Sequence, residues 1–161
     1  MTALMGAEDF AWADGLRRAH FPPDRNVVPA HITLFHHLLP SILPELATRI
    51  RQLCVGPAPV ASLAKVMLLG RGVAYQVESG DLLAMRDELA QAFAGLLTPQ
   101  DQARPRLHLT VQNKVPPEQA RQLAAELSAG FRPRRLRISG LAAWFYRGGS
   151  WELAMKASFR G

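Results

Sequence analysis

Apolar positions recur along this chain with two alternating periods, and the alternation outlines an order of elements. Phe10, Ala13 and Leu16 fall at helical spacing after Asp9, a residue suited to a helix cap, and Phe21-Pro22-Pro23 breaks the pattern, so a helix is expected from Asp9 to His20. Ala30 to Leu38, rich in β-branched and aromatic residues, reads as a strand. Leu43, Leu46, Ile50 and Leu53 return to intervals of three and four, an amphipathic helix closed by Gly56-Pro57. Val60 to Leu69 and Gly72 to Ser79 flank Gly70-Arg71-Gly72 as two strands; in the second, Val73, Tyr75 and Val77 alternate with Ala74, Gln76 and Glu78.

The order then repeats. A helix over Asp81 to Leu97 carries Leu82, Met85, Leu89, Phe93 and Leu96 on one face, and after Pro99 and Pro105 a strand is expected from Arg106 to Val115. Pro117 opens a helix with Ala120, Leu123, Ala124 and Leu127 as its stripe, and Gly130 suits the position just past its end. Leu136 to Tyr146 and Trp151 to Phe159 close the chain as strands joined by the turn Arg147-Gly148-Gly149-Ser150. The expected fold is α+β, a single domain over residues 1–161 built of two similar halves, about 1–70 and 71–161. Each half is too small to bury a core alone, so the halves should pack with their two central strands face to face or side by side.

Composition narrows the class without naming a function. A chain of 161 residues with 48% hydrophobic and 20% charged residues is globular and not disordered or fibrous. No apolar run reaches the roughly 18 residues of a membrane span. The first 30 residues, with Glu8, Asp9, Asp14 and Asp24, lack the basic and then apolar order of an export signal, so a cytoplasmic protein is expected, with no membrane contact and no obligate protein partner. Cys54 is the single cysteine, which excludes an internal disulfide and a cysteine zinc cage. Charge is the unusual bulk property: net +6, carried by 16 arginines and three lysines (Lys65, Lys114, Lys156). Arginine's planar fork matches phosphate oxygens, so a polyanionic partner accounts for the excess; a biased base composition accounts for it equally well.

Two central strands share one tetrad. His31-Ile32-Thr33-Leu34 and His108-Leu109-Thr110-Val111 each read His, aliphatic, Thr, aliphatic. With five histidines and five threonines in the chain, chance supplies about 0.16 His-x-Thr triplets, so two in equivalent places point to a site where one alone would read as a satisfied, half-buried pair. On a strand the histidine and threonine face one way and the aliphatic residues the other. His and Thr two apart are separated by about 6.6 Å of backbone, close enough to engage one phosphate group. One neutral imidazole can take a proton from a nucleophile while a second, protonated, gives one to a leaving oxygen, and threonine hydroxyls can donate to the non-bridging oxygens. That chemistry needs no metal and no cofactor.

The paired tetrads, each on a central strand of a repeated lobe, together with the closing hairpin from Arg135 to Phe159, resemble the two-histidine phosphoesterase superfamily, in particular its bacterial 2',5' RNA ligase and RNA cyclic phosphodiesterase group. The resemblance implies a bilobal, pseudo-symmetric fold with antiparallel sheets around a central cleft and helices outside. It implies metal-independent action on 2',3'-cyclic phosphates or 2',5' linkages, with RNA ends or small cyclic nucleotides as partners. His31 and His108 would be the acid/base pair and Thr33 and Thr110 the phosphate anchors. Where many relatives carry an arginine after the second tetrad, this chain has Gln112-Asn113-Lys114. The alternative is a module of the same fold that binds RNA or a nucleotide without turnover, or a hydrolase of some other small cyclic phosphate.

Other polar residues are secondary candidates. Arg106 shares the face of His108 and can pair with phosphate; Gln112 and Lys114 share it at about 13 and 20 Å, which suits a neighbouring nucleotide. Phe35 is a candidate to stack a base, with core packing as the competing role. His37 lies about 20 Å beyond His31 and His36 faces the other way, so no zinc site forms from these three histidines. Arg132, Arg134, Arg135 and Arg137 form a basic run, either a solvated face or a patch that tracks a nucleic-acid backbone.

Overall fold

A computed structural model describes residues 1–161 and makes the apolar start of the chain a strand, β1 (Thr2–Met5). Helix α1 (Ala7–His20) follows, with Gly6 at its cap and no side-chain cap. Asp9, the expected cap, instead accepts from Arg134 Nη1 and from the Arg137 backbone N–H, both at 2.7 Å, and so ties the first turn of α1 to a strand far along the chain. Next come β2 (Ile32–Thr33), α2 (Leu43–Leu53), β3 (Val60–Leu68), β4 (Val73–Glu78), α3 (Gly80–Ala92) and the short α4 (Pro99–Gln102). The chain ends with β5 (His108–Gln112), α5 (Pro117–Ala129), β6 (Arg134–Arg147) and β7 (Ser150–Ser158). Ser79 caps α3, accepting from Leu82 N–H while its own hydroxyl donates to the Val60 carbonyl.

All strand pairings are antiparallel, in the order β1-β2-β5-β4-β3-β6-β7, and β1 also pairs with β6. The sheet therefore closes into a barrel. The α+β class with antiparallel sheets holds, and the two sheets expected from the repeat are continuous with each other. Residue 70 lies in the turn of the β3–β4 hairpin, whose strands pair from Ser62↔Glu78 to Leu68↔Val73. Helices pack around the barrel: α1 on β5, α5 on β3 and β4, α3 on β3, and α2 on β7. No helix is long and apolar enough to cross a membrane.

Two strands differ from expectation, and both bear on the site. The run from Ala30 to Leu38 pairs only over Ile32–Thr33. Beyond Thr33 the backbone turns: Leu34 and Phe35 N–H groups donate to the Met1 carbonyl, and those of His36 and His37 to the two carboxylate oxygens of Asp101 at 2.8 Å. Burial alone would raise the Asp101 carboxyl, but these N–H donors hold it below the usual carboxylate range. Strand β5 also stops early. A bulge against Val73/Ala74 makes Val111 the extra residue, since Ala74 pairs with Thr110 and Val73 with Gln112. Gly72 permits this close passage, because a Cβ there would collide with the Gln112 carbonyl oxygen. Lys114 then turns the chain away at φ +62°.

The aliphatic halves of both tetrads anchor the core. Ile32, Leu34, Leu109 and Val111 are at most 1% exposed and join Ile50, Leu63, Leu82, Leu89, Ile138 and Leu141 in one cluster. Each such side chain contributes about 1.5–3 kcal/mol through burial, so the strands that carry the polar halves are held by their opposite faces.

Candidate active site

The two tetrads meet directly. Strands β2 and β5 are neighbours with Ile32 paired to Leu109; the antiparallel register sets His31 across from Thr110 and Thr33 across from His108. All four polar side chains share the face opposite the buried Ile32 and Leu109. Directly opposed side chains, His31 with Thr110 and Thr33 with His108, are about 5 Å apart at Cβ, and the two histidines, diagonal to each other, about 7–8 Å, which leaves room for one phosphate between them.

Both imidazoles are anchored in the same way. His31 Nδ1 lies 2.8 Å from the Pro29 carbonyl oxygen, and His108 Nδ1 lies 2.7 Å from that of Arg106. A carbonyl only accepts, so Nδ1 carries the proton in each ring and Nε2 is the free nitrogen. Each ring thus presents one Nε2 that takes a proton when neutral and gives one when charged. The threonine hydroxyls are left free by the protein, in contrast to Thr2, whose Oγ1 accepts from Trp144 Nε1 at 2.9 Å.

Around His31 the structure adds groups that strand periodicity does not identify. Trp151 of β7 packs on the His31 ring with centroids 4.6 Å apart, and Trp144 of β6 stacks behind it at 6.0 Å. Arg17 of α1, 4% exposed, runs behind both tetrads. Its Nε donates to Asn26 Oδ1 and to the Val28 carbonyl, and its Nη1 to the Thr110 carbonyl at 3.1 Å. Asp14, one turn earlier on the helix, accepts from Ala30 N–H at 3.0 Å. One face of α1 therefore fixes the loop leading to His31 and links it to the second tetrad. Burial pushes His31 down to about 4, and the Arg17 and His108 charges act in the same direction, against the Pro29 carbonyl. The ring is neutral at physiological pH.

The secondary candidates fare unevenly. Phe35 is 1% exposed, with the Arg86 guanidinium 4.7 Å from its centroid, so it is a core residue and cannot stack a base; the turn after Thr33 carries it inward. Gln112 does not share the His108 face: the bulge shifts the alternation, and Val111 and Gln112 are both buried. Lys114 lies past the end of β5, exposed, on the left-handed turn, and not on the strand face where the spacing set it. Arg106 is exposed, just before β5, and its carbonyl anchors His108. Of the basic run, Arg134 is paired with Asp9 and packed over Trp12. His36 and His37 are held by Asp101, and no three His, Cys, Asp or Glu side chains gather as a metal cage.

Gln76 was given no role by the strand pattern, although it stands directly across from His108. Its Oε1 is buried without a partner. Trp151 and Arg17 left signals that could be read only with the tertiary pairing in hand: an aromatic beside a Gly-Gly turn, and an arginine on the apolar side of a helix.

A closed antiparallel α+β sheet with two His-x-Thr tetrads side by side, each histidine tethered through Nδ1, has the architecture of a two-histidine phosphoesterase. The chain belongs to the 2'-5' RNA ligase superfamily, which it matches over residues 7–150. Its fold is similar to that in the crystal structure of TT0787 of Thermus thermophilus, with a TM-score of 0.61 at 17% identity over 99% of this chain and 96% of that one. No curated protein matches the chain.

Proposed function

We propose that the protein is a metal-independent phosphodiesterase that opens 2',3'-cyclic phosphates at RNA ends or on small nucleotides, and that the same site, with a 5'-hydroxyl RNA end attacking in place of water and the ribose 3'-oxygen leaving, joins ends through a 2',5' bond. The observation that carries this reading is the mirrored pair of imidazoles, each with Nδ1 spent on a carbonyl and Nε2 free. His31, held neutral, is the general base: its Nε2 takes a proton from water as the water oxygen attacks phosphorus in line. His108 is the general acid: its Nε2–H protonates the ribose oxygen as the P–O bond breaks. One P–O bond forms, one breaks, and one proton moves from water to leaving oxygen through two rings that solvent resets. Thr33 and Thr110 donate to the non-bridging oxygens, where charge builds in the transition state. Arg106, exposed beside His108, is placed for a further phosphate or substrate end. The net charge of +6 favours approach of a polyanion.

Incubation with 2',3'-cyclic nucleotides, an RNA ending in a cyclic phosphate and a 2',5'-linked dinucleotide, followed by product identification, tests the reading. Hydrolysis in chelator, with loss of about 10²- to 10⁴-fold in His31→Ala and in His108→Ala, is expected. Full activity in either variant, complete loss in chelator, or binding without turnover between pH 5 and 9 would overturn it, the last in favour of a binding module.

A further inference from the structure

The sheet does not hold the two tetrads equally. β5 pairs with β4 from His108 to Gln112, whereas β2 is two residues long and meets β5 at the single pair Ile32↔Leu109. With so short a ladder, the position of Thr33 depends on what receives the backbone N–H groups that follow it. Those of Leu34 and Phe35 go to the Met1 carbonyl, and those of His36 and His37 go one to each carboxylate oxygen of Asp101, both at 2.8 Å. Asp101 is 1% exposed and lies in α4, on the approach to His108. The segment that leads into the second tetrad therefore grips the segment that leaves the first.

Asp101 is itself fixed. Thr98 caps its turn, the hydroxyl accepting from Asp101 N–H. Buried Arg86 of α3 donates through Nη2 to the Asp101 carbonyl and, at 3.0 Å, to that of Ala103. The same guanidinium lies 4.7 Å from the centroid of the Phe35 ring, so it touches both segments. Arg17 has the corresponding place in the other half: it holds Asn26 and Val28, before His31, and reaches the Thr110 carbonyl. Each half's buried helix arginine secures the loop before its own histidine and reaches the opposite tetrad or the residues just after it.

We propose that Asp101 is a positioning residue for the reaction: through the turn at His36 and His37 it holds Thr33 where one phosphate can lie between Thr33 and the second tetrad. The inference rests on the functional reading above and adds to it a group that touches no substrate. A carboxylate suits the place because two successive N–H groups need two oxygens, whereas an amide offers one oxygen and sets its own donor against the other N–H. His31 is secured separately, by the Asp14 carboxylate on Ala30 N–H and by the Pro29 carbonyl at its ring. Thr110 is secured by the ladder between β5 and β4. Thr33 is thus the one polar member of the tetrads whose place depends on Asp101.

A double-mutant cycle on the full chain tests this, read as hydrolysis of a 2',3'-cyclic nucleotide. Asp101→Asn should lower kcat about 10- to 100-fold, the range for a small misplacement remote from the chemistry, with KM changed less. In a Thr33→Val background the same substitution should lose most of that effect, because the hydroxyl it positions is gone. In a Thr110→Val background it should keep it. Amide hydrogen exchange of the same proteins reads the grip without turnover: His36 and His37 should exchange about 10- to 150-fold faster in Asp101→Asn, as for loss of one charge-assisted hydrogen bond, and the β4–β5 amides far less so. Thr98→Ala, which loosens the Asp101 turn and leaves the carboxylate, serves if Asp101→Asn does not fold, with smaller shifts in the same directions. An unchanged kcat, an equal loss in both backgrounds, or exchange that rises alike throughout the chain overturns the proposal. A wild type that hydrolyses no cyclic phosphate removes the phosphodiesterase reading instead, and the exchange pattern alone then decides whether Asp101 holds the first tetrad.

Discussion

His31 and His108 sit in the same tetrad, on adjacent strands, with the same tether, and yet in unlike surroundings. His31 follows a long loop, precedes a strand of two residues, and lies under Trp151 with Arg17 behind it. His108 opens a strand of five residues, faces Gln76 across the sheet, and has no aromatic ring stacked on it. The tether leaves Nε2 free in each ring; in the reaction proposed above, the surroundings decide which way the proton moves. Two like tetrads supply two like rings, and the proposed chemistry at phosphorus needs one base and one acid. What makes the two rings unlike lies outside the tetrads.

The sharpest way to break the comparison is to remove each ring and change the leaving group. His108→Ala should lose about 10²- to 10⁴-fold on a cyclic nucleotide, but most of that loss should vanish on an aryl phosphodiester whose leaving group departs without a proton. His31→Ala should keep its full loss on both. Steady-state rates on the two substrates check the assignment, and the opposite pattern would exchange the roles.

How much of this was legible in the residues follows from the reach of each signal. Strand parity correctly grouped His31 with Thr33 and His108 with Thr110, because alternation is a property of one strand. It failed at Gln112, where a bulge against β4, permitted by Gly72 just before that strand, shifts the count. It failed again at Phe35, where Asp101, far along the chain, turns the backbone after Thr33. β1 differs from expectation because the four residues Thr2–Met5 carry no usable period; they are a strand only because Thr33 and Ala142 flank Thr2 in space. Trp151 faces His31 across a barrel closed by long-range pairing, which no local pattern records.

Arg17 joins the two halves of the comparison, and its removal tests whether they act as a unit. Arg17→Met would leave Asn26, Val28 and Thr110 acceptors without their donor in a buried place. A loss of about 3 kcal/mol in stability is expected, as for breaking one side of a buried charged network. Chemical denaturation measures it. In the folded fraction kcat should fall further than binding, because the register between His31 and Thr110 loosens; a loss of stability with kcat untouched would make Arg17 structural alone.

The threonines should be more nearly equal than the histidines. In the proposed reaction each hydroxyl meets the same phosphate from one side, and a hydrogen bond to a charged group contributes about 1.5–3 kcal/mol. Thr33→Val and Thr110→Val should therefore each reduce kcat roughly 10- to 150-fold by that same range, with KM changed less. Comparable losses on both sides would place the symmetry at the phosphate and the asymmetry at the proton. A loss in one alone would shift the phosphate toward a single tetrad.

The smallest effect at neutral pH is the most diagnostic of what separates the two rings. With His31 held at about 4 as the base, activity should fall on the acid side only as pH drops toward 4, since the ring must be neutral to take a proton. Trp151→Ala admits water to the ring, weakens the desolvation that lowers it, and should move this limb up toward the ordinary value near 6.5. At pH 8 the variant should lose little of its proton-accepting capacity, and at pH 5 it should lose most of it. Stability should report the same change with its own sign. Between about 6.5 and 4 the unfolded chain binds a proton at His31 that the folded chain refuses, so the wild type loses stability as pH falls through that window and none from this ring above it. Trp151→Ala should flatten that slope. If the acid limb and the slope both stay where they are, the indole is not what makes His31 the base, and Arg17 behind it becomes the group to change next.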